Sequence, residues 1–336
     1  MRAFEIVSAD GIDSLAINDR PQTQLGSRDV RVKIHASSLN YRDLMTVLHP
    51  TGRATLPLVP NSDGAGEVVA VGDEVDEFRI GDRVATLFFQ RWADGNISTT
   101  AMQSALGGAL DGVLAEEVTL KADGLIKLPS HLDYAQGATL PCAALTAWHS
   151  IVEKGRVKAG DTLLILGTGG VSIFALQFGK ILGARTIVTS SSDEKLERAR
   201  GLGADETINY RDMPDWDDKV LELTDGAGVD HGVEVGGPGP LVKSINASRV
   251  GGSIGLIGIL TGAGGMVNPT AMMRKSINLH GVYVGSQRMF ADMNKAISHH
   301  QLHPVIDQTF EFADAPAAFH AMHKAGHFGK IVVTMS

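Results

Sequence analysis

The sequence predicts a mixed α/β protein in which a barrel-like β domain is interrupted by a doubly wound parallel sheet. Three observations carry this expectation. From residue 1 to about 127, short runs rich in valine and isoleucine recur between turn residues, at 30–34, 66–72 and 82–87, as strands of an antiparallel domain do. From 128 to 285 apolar runs alternate with helical stretches: helices are expected over 135–153, 171–182, 193–202 and 216–223, and strands over 163–166, 185–189, 232–235 and 253–260. The last fifty or so residues hold helices near 291–299 and 315–325 and one final strand, 329–334, too isolated to form a sheet of its own. That strand is expected to rejoin the first domain, which gives 1–127 plus 286–336 as one domain and 128–285 as the other.

Composition bounds what such a chain does. With 336 residues, 43% of them hydrophobic, it has enough apolar material for two cores, as a soluble globular protein does. The formal net charge of -8 offers no attraction for nucleic acid or an anionic membrane, so neither is expected as a partner. Cys142 is the single cysteine, which excludes an intramolecular disulfide and a multi-cysteine zinc site. The first residues alternate like a strand, and no run approaches membrane-spanning length. A cytoplasmic location is the expectation.

The stretch 162–209 is the most specific. An apolar strand opens into Gly167-Thr168-Gly169-Gly170-Val171 and then into a helix. Gly167 permits a tight turn, and Gly169 lets the backbone approach a pyrophosphate held at the helix N-terminus. Ser172 stands where a third glycine is usual and is small enough for close helix–strand packing. The second strand ends in Ser190-Ser191-Ser192, at about the ~20-residue offset where an acid would bind a ribose 2'-hydroxyl. Hydroxyls there, with Lys195 and Arg198 nearby, tolerate a 2'-phosphate, so NADPH is expected ahead of NADH. The plainer alternative is a doubly wound domain whose glycines only turn the chain.

Several further segments carry a resemblance: Ser38-Leu39-Asn40-Tyr41-Arg42-Asp43, Pro60-Asn61-Ser62-Asp63-Gly64-Ala65-Gly66, Gly81-Asp82-Arg83-Val84, the helix around Cys142 and Thr146, Leu202-Gly203-Ala204-Asp205, and His327-Phe328-Gly329-Lys330-Ile331-Val332. Together with the Gly167 turn, they make nearly the whole chain resemble the medium-chain dehydrogenase/reductase superfamily. The resemblance implies a GroES-like catalytic domain, an inserted Rossmann domain and a substrate cleft between them. The subgroup it points to is the zinc-free quinone oxidoreductase-like, NAD(P)-dependent alcohol dehydrogenase-like proteins. Zinc enzymes of the superfamily hold their catalytic metal with cysteine, histidine and cysteine; Asn40, Ser62 and Cys142 stand at those positions here. The lobe with four structural cysteines corresponds to part of 88–112, which has none, so no metal is expected at either site. The histidine clusters His299, His300, His303 and His320, His323, His327 are expected to be solvated helix residues.

The resemblance also implies site roles. Asn40 and Tyr41 would face the cofactor and donate to a carbonyl, with Tyr41 either a proton donor or a packed wall, and Ser62 would help bind substrate. Asp43 and Asp63 would be structural, paired with arginines such as Arg42 or Arg83. Thr146 would touch the nicotinamide, Lys195 and Tyr210 would line the adenosine end, and Val235, Gly258, Ile259, Tyr283 and Val284 would border the cofactor at strand ends. Gly258 and Gly285 have simple turn chemistry as an equal reading. The edge at 253–260 implies a homodimer. The expected function is hydride transfer from NADPH to a quinone, enone or related conjugated carbonyl; a zinc-free alcohol or aldehyde dehydrogenase and a weakly catalytic, zeta-crystallin-like nucleotide-binding protein are the alternatives.

Overall fold

The computed structural model describes residues 1–50, 55–262 and 264–335, which include every site residue named above. Its contacts divide the chain into two compact units, Met1–Leu145 with Gly285–Ser336, and Thr146–Val284. In the first unit a seven-stranded sheet is organised on the strand Asp29–Ser38. That strand pairs antiparallel with Asp63–Val71, Glu117–Lys121 and Lys330–Thr334. The final strand therefore does return to the first domain, with Val332 opposite Ser38. Val30, Val32 and Ile34 alternate into a core shared with Val68, Val84, Val118 and Ile331, as the two-residue side-chain period of a strand requires. At Ser37 and Ser38 the alternation stops because both faces are covered. Burial is tolerated because each hydroxyl has a carbonyl partner, Ser37 on Asp63 and Ser38 on Ile331. This closed strand end delivers Asn40 and the helix Tyr41–Leu48.

The second unit holds six parallel strands in the spatial order Glu206–Asn209, Arg185–Ser190, Thr162–Leu166, Val229–Glu234, Ser248–Leu256 and Asn278–Gly281. This is the 3-2-1-4-5-6 order of a dinucleotide-binding sheet, and the order reverses between Thr162–Leu166 and Val229–Glu234. Two expectations need correction. The apolar run at 253–260 leaves the sheet after Leu256, because the amides of Ile257 and Gly258 turn onto the carbonyl of Glu234; the sheet edge is the later strand Asn278–Gly281. The stretch 135–153 is not one regular helix. It runs as Tyr134–Ala138, a widened π-type stretch Leu140–Ala144, Leu145–Trp148 and a second such stretch, His149–Lys154. Pro141 lacks an amide donor and crowds the preceding turn, which opens the ladder there. Among the described residues no helix is long and apolar enough to cross a membrane.

Candidate active site

In the second unit the expected cofactor residues collect at the carboxyl ends of adjacent strands. Gly167 follows its strand with φ 75°, and its amide donates to the Thr189 carbonyl. Gly169 caps the helix Gly170–Ile181, and a Cβ built on it would meet nothing within 4 Å, so open space faces the helix N-terminus. A ligand's phosphate approaches most closely at such a place. Ser172, in place of the third glycine, donates from Oγ to the Leu166 carbonyl at 2.7 Å and ties the helix to the strand end. On the neighbouring strand Ser190 Oγ accepts from the Ser192 amide, and Ser192 Oγ accepts from the Lys195 amide to start the helix Asp193–Gly201. Tyr210 donates its amide to the Ser190 carbonyl, which brings the ends of these two strands side by side.

On the other side of the strand-order reversal, the buried carboxylate of Glu234 accepts from the amides of Gly236 and Gly237 and from Ser244 Oγ, and so shapes the turn after Val235. Burial pushes this carboxyl up, while those donors oppose the shift. Gly258 is required by close approach, since a Cβ there would lie 2.1 Å from the Val235 carbonyl oxygen. Ile259 and Tyr283 are exposed beside it. Val284 holds φ 56°, a left-handed conformation that a β-branched residue adopts only under constraint. His149 supplies it, donating from Nδ1 to the Val284 carbonyl at 2.7 Å. Thr146 is buried in the helix Leu145–Trp148.

In the first unit Asn40, Ser62 and Cys142 lie in one polar cluster with Asp43, Asp63 and Lys330. Asn40 precedes the helix Tyr41–Leu48, and its amide donates to Asp43 Oδ2 at 2.9 Å. Asp43 pairs with Arg42, as expected; Arg42 also donates to the carbonyls of Leu106 and Gly107 and stacks on Phe88. The segment that starts at Asn40 is thereby tied to the 88–112 loop. Tyr41 is 42% exposed. Asp63 does not pair with Arg83, which instead donates to the Ser130 and Leu132 carbonyls and lies over Tyr134. Asp63 accepts from Ser62 Oγ at 2.6 Å and from the Cys142 amide at 3.0 Å. Burial raises its carboxyl to about 6, even though the Lys330 ammonium favours the charged form.

Lys330 is the residue that sequence reasoning passed over. In the sequence it is one residue of the matching segment 327–332, whereas its Nζ lies in the cluster, donating to the Leu39 carbonyl at 2.5 Å and to Asn40 Oδ1 at 2.6 Å. These atoms do not fit a catalytic zinc. The side-chain oxygen of Asn40 already accepts from Lys330 and the Ser62 hydroxyl is engaged by Asp63, which leaves Cys142 as the one soft ligand of the three. Among the described residues, no group of three or more histidine, cysteine, aspartate or glutamate side chains is arranged to hold a metal ion.

Comparison with known proteins bears on this pair of sites. The family model described as an alcohol dehydrogenase GroES-like domain matches residues 26–130, and that described as a zinc-binding dehydrogenase matches 170–299. A zinc-type alcohol dehydrogenase-like protein of Schizosaccharomyces pombe is 42% identical over 332 residues, 96% of each chain. The chain belongs to the medium-chain dehydrogenase/reductase superfamily. An alcohol dehydrogenase candidate from Sinorhizobium meliloti, known as a crystal structure, is 41% identical over 98% of each chain with a TM-score of 0.92. A quinone oxidoreductase of Pseudomonas aeruginosa is 34% identical over 229 residues, 67% of this chain and 63% of its own. The GroES-like and Rossmann architecture follows, as does the class of enzyme: an oxidoreductase that uses a nicotinamide cofactor.

Proposed function

We propose that the protein is a zinc-independent, NADPH-dependent reductase of quinones, enones or related conjugated carbonyls. The observation that carries this reading is the Lys330 side chain on Asn40 Oδ1, an amine and an amide at a position that the family resemblance compares with a metal ligand. A bound nicotinamide supplies the hydride. The chain's task is then to stabilise negative charge on the acceptor's oxygen and to provide a proton, tasks suited to Asn40, Tyr41 and Ser62. With Asp63 ionised, the Ser62 hydrogen is held by that carboxylate. With Asp63 neutral, its own proton can satisfy Ser62 Oγ and release the hydroxyl hydrogen toward an acceptor.

The absence of an acid at Ser190 and the hydroxyls of Ser190 and Ser192 support NADPH over NADH. Thr146, Lys195, Tyr210, Val235, Gly258, Ile259, Tyr283 and Val284 are the remaining cofactor residues in this proposal. The strand Asn278–Gly281 at the edge of the six-stranded sheet supports a homodimer. A cytoplasmic location and a small-molecule partner, without nucleic acid or membrane, complete the reading.

The second reading, a zinc-free alcohol or aldehyde dehydrogenase, is favoured by the alcohol dehydrogenase names of the relatives that are 42% and 41% identical. Following NADPH oxidation with quinones, enones and aldehydes, beside NADP-dependent oxidation of saturated alcohols, separates the two. Turnover of conjugated carbonyls alone is expected, and turnover of alcohols alone would overturn the proposal. Elemental analysis of the purified protein should find less than stoichiometric zinc, with activity indifferent to chelators. One tightly held zinc whose removal abolishes activity would refute zinc independence.

A further inference from the structure

We infer that Lys330 is a positioning residue of the acceptor site: its ammonium locks the side-chain amide of Asn40 so that the Nδ2 hydrogens are kept for the oxygen of the hydride acceptor. The inference rests on the carbonyl-reductase reading above and names the residue that would set its oxygen-binding donor.

The chain brings Lys330 to Asn40 by a turn. Gly329 has φ 81°, and a Cβ on it would lie 2.6 Å from the Val305 carbonyl oxygen, so the backbone bends tightly there before the buried strand Lys330–Thr334 begins. The Lys330 amide donates to the same Val305 carbonyl, and the side chain is buried with only 3% of the residue exposed. Burial pulls the Lys330 pKa down while the Asp63 and Asp43 carboxylates oppose that shift. As an ammonium held by those carboxylates it donates and never accepts, so the amide atom 2.6 Å from Nζ is the oxygen, and the flipped amide would set NH2 against NH3+. The Asn40 backbone is fixed independently, by its amide on Asp43 Oδ2 and its carbonyl accepting from Asp43 and Leu44 at the helix start. The Asn40 side chain also faces the Asp43 amide in a capping box, and Lys330 adds the short bond that holds its oxygen.

The consequence falls on Nδ2. This nitrogen is buried, with no well-formed hydrogen bond; its long contact with Asp63 makes it a weak donor that favours the charged carboxylate. A desolvated donor so poorly satisfied is costly in the free protein, and the cost is recovered when an acceptor oxygen arrives. Neither Leu39 nor Ser62 can take the place of Lys330, because the carbonyl of Leu39 is itself a recipient of the ammonium and Ser62 Oγ donates to Asp63.

The test pairs kinetics with a spectroscopic readout. Lys330→Met should lower kcat on the best quinone or enone by about tenfold or more, while NADPH affinity, measured by cofactor fluorescence, changes by less than about threefold. In an Asn40→Ala background the same substitution should add less than about twofold, because the lysine acts through the amide. Fully additive losses, or unchanged kcat in Lys330→Met, would overturn the inference. Asn40→Asp keeps an oxygen for Lys330 and removes the N–H donor, so it tests the same claim should Lys330→Met not fold; wild-type kcat in that variant would refute it. In protein labelled with 15N-asparagine, the two Asn40 side-chain proton signals, identified by their loss in Asn40→Asp, should shift and broaden in Lys330→Met as the side chain samples further rotamers. Signals unchanged by Lys330→Met would refute the lock. Should the wild type reduce no conjugated carbonyl, the functional proposal fails while this last measurement still decides the lock.

Discussion

The buried histidine of the nucleotide-binding sheet gives a stability prediction with a definite sign. His231 lies on the strand Val229–Glu234, fully buried, with Nε2 3.0 Å from Ser150 Oγ and Nδ1 2.7 Å from Ser253 Oγ. Two hydroxyls satisfy the neutral ring in either tautomer. Desolvation, with a smaller repulsion from His280, pulls its pKa down to about 3 from 6.5. A depressed histidine binds fewer protons folded than unfolded. Its contribution is therefore intact above about pH 6.5 and is lost as the pH falls from there toward 3. From these two values the loss is roughly 2 kcal/mol at pH 5 and negligible at pH 8. His231→Gln removes the titration at a pH-independent cost, so urea unfolding of both proteins at pH 8, 6 and 5 isolates the term in their difference. Asp63 titrates with the opposite sign, but it does so in both proteins and cancels. The wild type should lose about 2 kcal/mol more than the variant between pH 8 and 5. Parallel loss in the two proteins would refute the argument, because it would mean that the ring carries no depressed titration.

Ser190→Asp should reverse cofactor preference, since a carboxylate repels a 2'-phosphate and accepts from an unphosphorylated ribose; tighter binding of NADH than NADPH by the wild type would end the NADPH claim. Gly258→Ala should destabilise the second unit by more than about 2 kcal/mol, because its Cβ would sit 2.1 Å from the Val235 carbonyl oxygen and the backbone has to move; a melting temperature within a degree of wild type would show that the strand end yields freely. Tyr41→Phe should cost about tenfold to a thousandfold on an enone, whose carbon must gain a proton, and less on a quinone, whose oxygens take protons from water. Equal losses on both would assign Tyr41 to positioning, and unchanged turnover on both would remove it from the mechanism.

The nucleotide-binding half of the protein was legible in the chain because its signals are local. An apolar strand, a glycine at φ 75°, a helix start and a second strand each follow from a few consecutive residues, and their order along the chain is also their order in the sheet up to the reversal. The substitution of Asn40, Ser62 and Cys142 for metal ligands was equally readable, since residue type alone determines whether a soft ligand is present. The tertiary structure decided what those residues do instead. Asp63 meets the Cys142 amide across 79 positions and Lys330 meets Asn40 across 290. It also ended the apolar run 253–260 at Leu256, where the Glu234 carbonyl captures the following amides. Charge, burial and the direction of an amide are properties of neighbours in space, and a chain read in one dimension carries no record of who those neighbours are until the final strand closes the sheet beside Ser38.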